Sequence, residues 1–414
     1  MAEKIHSHIG KIIIAALILV ITAGMIIRLN GVTRTELVNR TGQTFETGVV
    51  VEILQDNLQN DGTRVGQQTV VVHMTSGEKQ GEDLVTTSNS GYLFGAPCEV
   101  GMKVVVMQSV SGDTVITTVY SIDRKEVIIG FAALYIAALC LVGGMKGLRG
   151  ALGLIYTFGA IIYIYLPLVY LGYSPFWVSV FICVITTLVT MLLIGGFARK
   201  TICATLGTMA GVIIAGAAAT VFSNMTGVTG WNVSDIESLM TLQQVNGIQV
   251  GGLLFSGLLI SALGAVMDVA MSISSSMQEL HDQNPSMSRL ELMRAGMRVG
   301  RDMMGTDSNT LILAFAGGSL SMLVLDYAYD LPYLQIINSN NIGIAVMQGL
   351  SGSFGIVLSA VSYTHLHGQC ASGAGTAGKA GRYAPGFPIS QPAGGDDRYR
   401  GHFEGGPGAV RFLF

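Results

Sequence analysis

Eight runs of apolar residues, separated by short polar stretches and one long one, constrain this chain more than any other feature. They fall at residues 12–27, 127–142, 151–170, 176–195, 202–222, 250–273, 310–325 and, more weakly, 343–361. Most approach the ~20 residues that a helix rising 1.5 Å per residue needs to cross about 30 Å of hydrocarbon. Only 12% of the 414 residues are charged and 50% are hydrophobic, whereas soluble domains carry roughly 25% charged residues. So few charges cannot coat a water-exposed surface of this size, and the pattern predicts a polytopic α-helical membrane protein with about eight transmembrane helices.

The basic residues predict its orientation, because short cytoplasmic loops retain Lys and Arg. Lys4 and Lys11 place the N-terminus in the cytoplasm, and Lys146 with Arg149, Arg199 with Lys200, and Arg289, Arg294, Arg298 and Arg301 mark three further inside loops. The intervening loops at residues 171–175, 223–249 and 326–341 contain neither Lys nor Arg. No small-residue cleavage site follows the first run, so residues 1–30 read as an uncleaved anchor.

Between the first two runs, residues 31–124 change character. Short β-branched segments at 47–54, 69–73, 103–107 and 114–120 are separated by Gly and Asn/Asp clusters at 57–62, 77–81 and 111–113. Such spacing predicts a compact extracytoplasmic β-rich domain, an OB-like barrel or a sandwich, inserted between helices 1 and 2. Residues 125–361 form the expected helical bundle. From residue 362 the composition turns to Gly, Pro, Arg and scattered polar residues, and residues 362–414 are expected to be a non-native or disordered tail.

A net charge of -3 and a pI near 6.2 supply no basic field, so nucleic acid is not an expected partner. The five cysteines include one, Cys98, in the β region, which gives no disulfide framework. No histidine pair has metal-ligand spacing within a span, and no metal or other cofactor is expected. P-loop, G-x-S-x-G and H-E-x-x-H motifs are absent, so no catalytic residue is assigned and the chain reads as a non-enzyme.

The polar residues inside the spans carry the functional reading. Asp268, Ser272, Ser275 and Glu279 recur at i, i+4, i+7 and i+11 on one helical face in the sixth span, a stripe that suits protein or water better than lipid. Ser288 and Glu291 form a capping box at the start of the next helix. There Arg294, Arg298 and Arg301 share one face and Leu290, Met293 and Met297 form an apolar stripe, as expected of an amphipathic helix on the inner interface. Its continuation carries Asp302, Thr306 and Asn309 at i, i+4 and i+7, beside Asp307 and Thr310. The two stripes predict a cytoplasm-side polar cleft between helices 6 and 7, with Arg301 or Arg298 available for an ion pair or gate. A structural clamp between Asp268 and Arg301 is the plainer alternative, since boundary carboxylates often meet inside arginines. Gly207 and Gly211 form a GxxxG pair whose ordinary role is close helix packing. Gly317 and Gly318 signal either close packing or a local break.

The stretch Gly264-Ala-Val-Met-Asp268-Val-Ala-Met-Ser272-Ile, then Gly300-Arg-Asp302-Met-Met-Gly305-Thr, then Asn309-Thr310-Leu-Ile-Leu-Ala-Phe resembles the YibE/F family of bacterial multipass membrane proteins, over roughly residues 12–359. The resemblance implies an N-terminal anchor, an extracytoplasmic domain and a helical bundle in the bacterial cytoplasmic membrane, and it implies no established substrate. The expected function is a permease-like transporter of a small molecule or ion, surrounded by membrane lipid. The rival is a non-transporting assembly or sensor protein whose external domain binds a membrane or envelope partner, lipid or polymer.

Overall fold

The structure, a computed structural model, describes residues 20–31, 42–89, 95–111, 114–196, 199–233 and 236–372. The start of the first apolar run, with Lys4 and Lys11, and most of the expected tail lie outside the described residues.

Five strands, β1 (Gln43–Gln55), β2 (Gln67–Met74), β3 (Asp83–Asn89), β4 (Lys103–Ser111) and β5 (Thr114–Ile122), close into a barrel in the order β1-β2-β3-β5-β4. Every pairing is antiparallel except β3 with β5, which run parallel through Thr87–Thr118 and Ser88–Val119. Five strands in this order make an OB-type barrel rather than a sandwich, and closure leaves no long free edge. Side chains alternate inward and outward as the pleat requires. Gln68, Val70, Val72 and Met74 of β2 are fully buried with Val50, Val104 and Val106. A register shift after Val50 bends β1 so that one long strand pairs with both β2 and β4. The barrel joins the helices at Lys103, whose Nζ meets Glu126 Oε2 at 2.5 Å.

The helices are α1 (Val20–Asn30), α2 (Lys125–Ala160), a π-helical turn (Ile161–Tyr165), α3 (Leu166–Tyr170), α4 (Pro175–Gly195), α5 (Arg199–Thr226), α6 (Ile236–Asn246), α7 (Leu253–Gln283), α8 (Arg289–Gly318), α9 (Leu320–Ala328), α10 (Tyr333–Ile337) and α11 (Asn340–Ser372). Among the described residues, five helical stretches are long and apolar enough to cross a membrane: Lys125–Tyr170, Pro175–Gly195, Thr201–Thr226, Val250–Gln283 and Asn340–Ser362. A sixth is the pair α8 and α9, bent by 58° at the break that Gly317 and Gly318 signalled. The chain is therefore a helical membrane protein with a β domain.

The first of these stretches is not one rod. Gly144 has φ 53° and ψ -134°, left-handed backbone that a residue with a Cβ resists. Beyond it the backbone of Gly147 comes against the Leu139 carbonyl, where a straight helix would separate the two by about 12 Å. Two helical legs, residues 125–143 and 145–170, thus meet at the glycine. The second leg holds α1. Asn30 Nδ2 donates to Tyr163 O at 2.9 Å, within the π turn, whose i to i+5 ladder frees a carbonyl for an outside donor. Thr22 Oγ1 meets Tyr156 Oη at 3.2 Å, and Met25, Ile26 and Leu29 pack against the cluster around Ile164 and Tyr165.

The bundle core is α5, α7 and α11 crossing at glycine. A Cβ on Gly211 would lie 2.5 Å from Val266 Cγ1, 2.7 Å from Ser359 Cβ and 3.0 Å from Gly355 O, so only hydrogen fits there. Gly207 is buried as well. α11 continues past residue 361, where the sequence pattern breaks, as far as Ser372.

Candidate functional site

Ser288 opens α8 as a capping box: its backbone N–H and hydroxyl donate to Glu291 Oε2 at 2.9 and 2.8 Å, and Glu291 N donates to Ser288 Oγ at 3.3 Å. The helix then runs unbroken from Arg289 to Gly318, so the expected interfacial segment and the next span are one helix. Its buried face differs from the predicted stripe. Leu292, Gly296, Gly300 and Leu311 are buried, whereas Leu290 is 51% exposed. Close approach of two neighbours explains the difference: Gly296 rests on Met277 of α7, and Gly300 on Ile273 of α7 and Ala360 of α11. At such a crossing small residues mark the contact and large ones are displaced from it.

This antiparallel register runs 277 beside 296 and 273 beside 300, which carries Asp268 to the level of residues 304–308. Asp307, seven residues beyond Gly300 and eleven beyond Gly296, shares the helix face that meets α7, whereas Asp302, two beyond Gly300, does not. Asp307 Oδ2 and the neighbouring Ser308 Oγ are buried without a hydrogen-bond partner. Among the described residues no cation lies within ion-pair distance of Asp268, Asp302 or Asp307, so the clamp with Arg301 is not formed.

The remaining sequence-selected residues surround this pair less closely. Along α7, Asp268, Ser275 and Glu279 are exposed and Ser272 is half-buried; Glu279 accepts from Gln283 Nε2 at 2.9 Å. Arg298, Arg301, Asp302, Thr306, Asn309 and Thr310 are exposed on α8. Thr306 donates to Asp302 O and Thr310 to Thr306 O, at 3.4 and 3.0 Å, so both hydroxyls are satisfied by their own helix. One turn along α7 from Asp268, Gly264 and Met267 border a cavity of about 100 Å³ that also meets Thr157, Thr186 and Thr190. Thr157 and Thr186 bond back to Gly153 O and Ile182 O, while Thr190 Oγ1, on a residue 5% exposed, has no partner. The rest of its lining, Ile161, Ile182, Ile260 and Leu263 among it, is apolar. Among the described residues no group of three or more His, Cys, Asp or Glu side chains is placed to hold a metal ion.

The fold defines a multipass helical membrane protein with an OB-type barrel, with Asp268 and Asp307 on two neighbouring long helices. The family model for YibE/F-like proteins matches residues 131–370, more than half of the chain, and the chain belongs to the YibE/F family. No curated protein and no solved structure matches it significantly.

Proposed function

We propose that the chain is a permease-like transporter of a small molecule or ion, using a cytoplasm-side polar cleft between α7 and α8. One arrangement carries the reading: the contacts of Gly296 with Met277 and of Gly300 with Ile273 bring Asp268 of α7 level with the part of α8 that holds Asp307 and Ser308, whose Oδ2 and Oγ are buried without a hydrogen-bond partner. Two such charges repel unless a proton or cation lies between them, and ionisable groups within spans mark ion and proton paths more often than packing. The chemistry needs no cofactor and no catalytic residue.

The topology that goes with this reading has eight spans. They are α1, the legs 125–143 and 145–170, α4, α5, α7, the bent α8–α9 pair and α11. The N-terminus and the loops carrying Lys146, Arg199 and Arg289 then face the cytoplasm of a bacterial cell, and the barrel lies outside. The break at Gly144 supports the count, because 46 helical residues would otherwise extend about 69 Å, twice the hydrocarbon thickness.

The test is proton flux into proteoliposomes that enclose a pH-sensitive dye, driven by a pH step. Asp268→Asn and Asp307→Asn should each lower the flux about tenfold or more at unchanged insertion. Flux equal to that of the parent chain in both variants would remove the pair from the mechanism. A second reading is an assembly or sensor protein whose barrel binds an envelope partner, favoured by exposed Leu54, Leu58 and Val65 on the β1–β2 hairpin. Deleting residues 32–121 separates the two: function lost while insertion and flux persist favours the second.

A further inference from the structure

A groove between α4 and α5, floored by Leu259 and Leu263 of α7, is separate from the carboxylate pair. Its cavity measures about 450 Å³ and no charged residue lines it. The polar groups it meets are few and small: Cys183, Thr187 and Thr220 beside eleven residues that are apolar side chains or glycine, save the Trp177 indole. Thr187 and Thr220 donate to carbonyls of their own helices, so the groove offers a ligand little beyond hydrocarbon contact. It is open because α5 presents Gly216 and Ala217 there; a Cβ on Gly216 would already lie 3.2 Å from Leu259 Cδ2.

We propose that this groove binds one acyl chain of a membrane phospholipid. Its walls run from Phe176 to Thr187 on α4 and from Met209 to Thr220 on α5, a length of about 17 Å at 1.5 Å per residue. That is close to the roughly 15 Å depth of one leaflet. Volume over length gives a section of roughly 26 Å², wide enough for one carbon chain at the usual ~4 Å spacing between carbons. It is far too narrow for a helix 10–12 Å across, which excludes a transmembrane helix of a second copy as a full occupant. The ends match a lipid too. Trp177 lies two residues from the start of α4 and is 69% exposed, the position of an interfacial aromatic beside a headgroup. The other end stops at mid-span between Thr187 and Met209.

The test uses the full chain in phosphatidylethanolamine–phosphatidylglycerol vesicles doped with a phospholipid that carries a diazirine in mid-chain. After illumination, adducts are mapped by peptide mass spectrometry. Leu141 and Val142, which are 85% and 92% exposed, report ordinary contact with the surrounding bilayer. Adducts on residues 180–187 and 209–217 should exceed those on residues 139–142 at least about fivefold. Ala217→Phe, on the open side of α5, should bring them down to that reference level while leaving residues 139–142 unchanged. Groove adducts no denser than the reference, or untouched by the substitution, overturn the proposal. Should Ala217→Phe fail to insert, Ile213→Trp fills the same wall from an exposed position. Disulfide-linked dimers formed by Ile213→Cys and absent from the parent chain would place a second copy there and equally overturn it.

Discussion

The barrel and the bundle use buried polar side chains in opposite ways. In the barrel they tie distant segments together: Gln68, fully buried, accepts from Cys98 N at 2.8 Å, donates to Cys98 O at 3.3 Å and donates to Asp56 Oδ1 at 2.9 Å. Ser88 both donates to Ala96 O and accepts from Ala96 N, and buried Glu46 accepts from Gln108. In the bundle the buried hydroxyls bond to the preceding turn of their own helix, as Thr186, Thr187, Thr208 and Ser353 do. The three ion pairs among the described residues lie in the barrel or at its junction with α2. Water surrounds the first kind of interior and oil the second, so in the second the backbone and most buried hydroxyls are satisfied at home and close approach at glycine sets the fold. Asp307, Ser308 and Thr190 depart from the bundle's rule, as do Thr201 and Asp326 elsewhere in the helices.

The contrast breaks most visibly at Gly211. Gly211→Leu should cost at least ~3 kcal/mol, because both side chains and backbone must move. Cys203, fully buried, should become open to alkylation in mild detergent while Cys98 in the barrel stays protected; equal protection of both thiols would show that glycine packing does not govern the bundle. Next in size is Gln68→Leu, which strands the buried Cys98 N–H at about 2–3 kcal/mol. Burial already pushes the Cys98 thiol up from 9.0 and keeps it inert, so its alkylation in urea should accelerate roughly 30- to 150-fold, with Cys203 unchanged. Removing a comparable buried hydroxyl from the bundle sharpens the comparison from the other side. Thr208→Val should cost only about 0.5 kcal/mol in thermal unfolding, since the lost bond is local, and a cost above 2 kcal/mol would refute the distinction.

The smallest effect is one of pH on the β1–β2 loop. The Gln68 amide, then the Arg64 guanidinium, hold the Asp56 carboxyl below its usual 3.8, and Thr63 does the same for Asp61. A depressed acid stabilises the fold above its unfolded value and loses that contribution as pH falls through its folded one. The protection factor of the Val65 N–H, which donates to Asn57 O at 3.1 Å, should therefore fall below about pH 4 while those of the helices' amides do not change. A loop indifferent to acid would detach these carboxylates from its stability.

The five long apolar stretches, the bent α8–α9 pair and four of the five strands were legible because each rests on a local pattern. β3 was not, since Thr86, Thr87, Ser88 and Asn89 look like loop; they are held as a strand by β2 on one side and a parallel partner on the other. The carboxylate pair was half legible. Asp268 is conspicuous on its face, but Asp307 shares a crowded polar segment with Asp302 and Asn309, and spacing alone cannot say which of them turns toward α7. That choice is made by Gly296 and Gly300, two residues without side chains that the eye passes over when looking for a core. The break at the Gly143–Gly144 pair was legible as a loop, though helix persists up to Gly144 on both sides.

The bond from Asn30 to the Tyr163 carbonyl joins positions 133 apart in the chain, with the whole barrel encoded between them. A ribosome working from the N-terminus must finish the barrel and reach the π turn before the first helix can settle. Until then α1 lacks its dock, and the assembly closes only when this early segment meets a much later one.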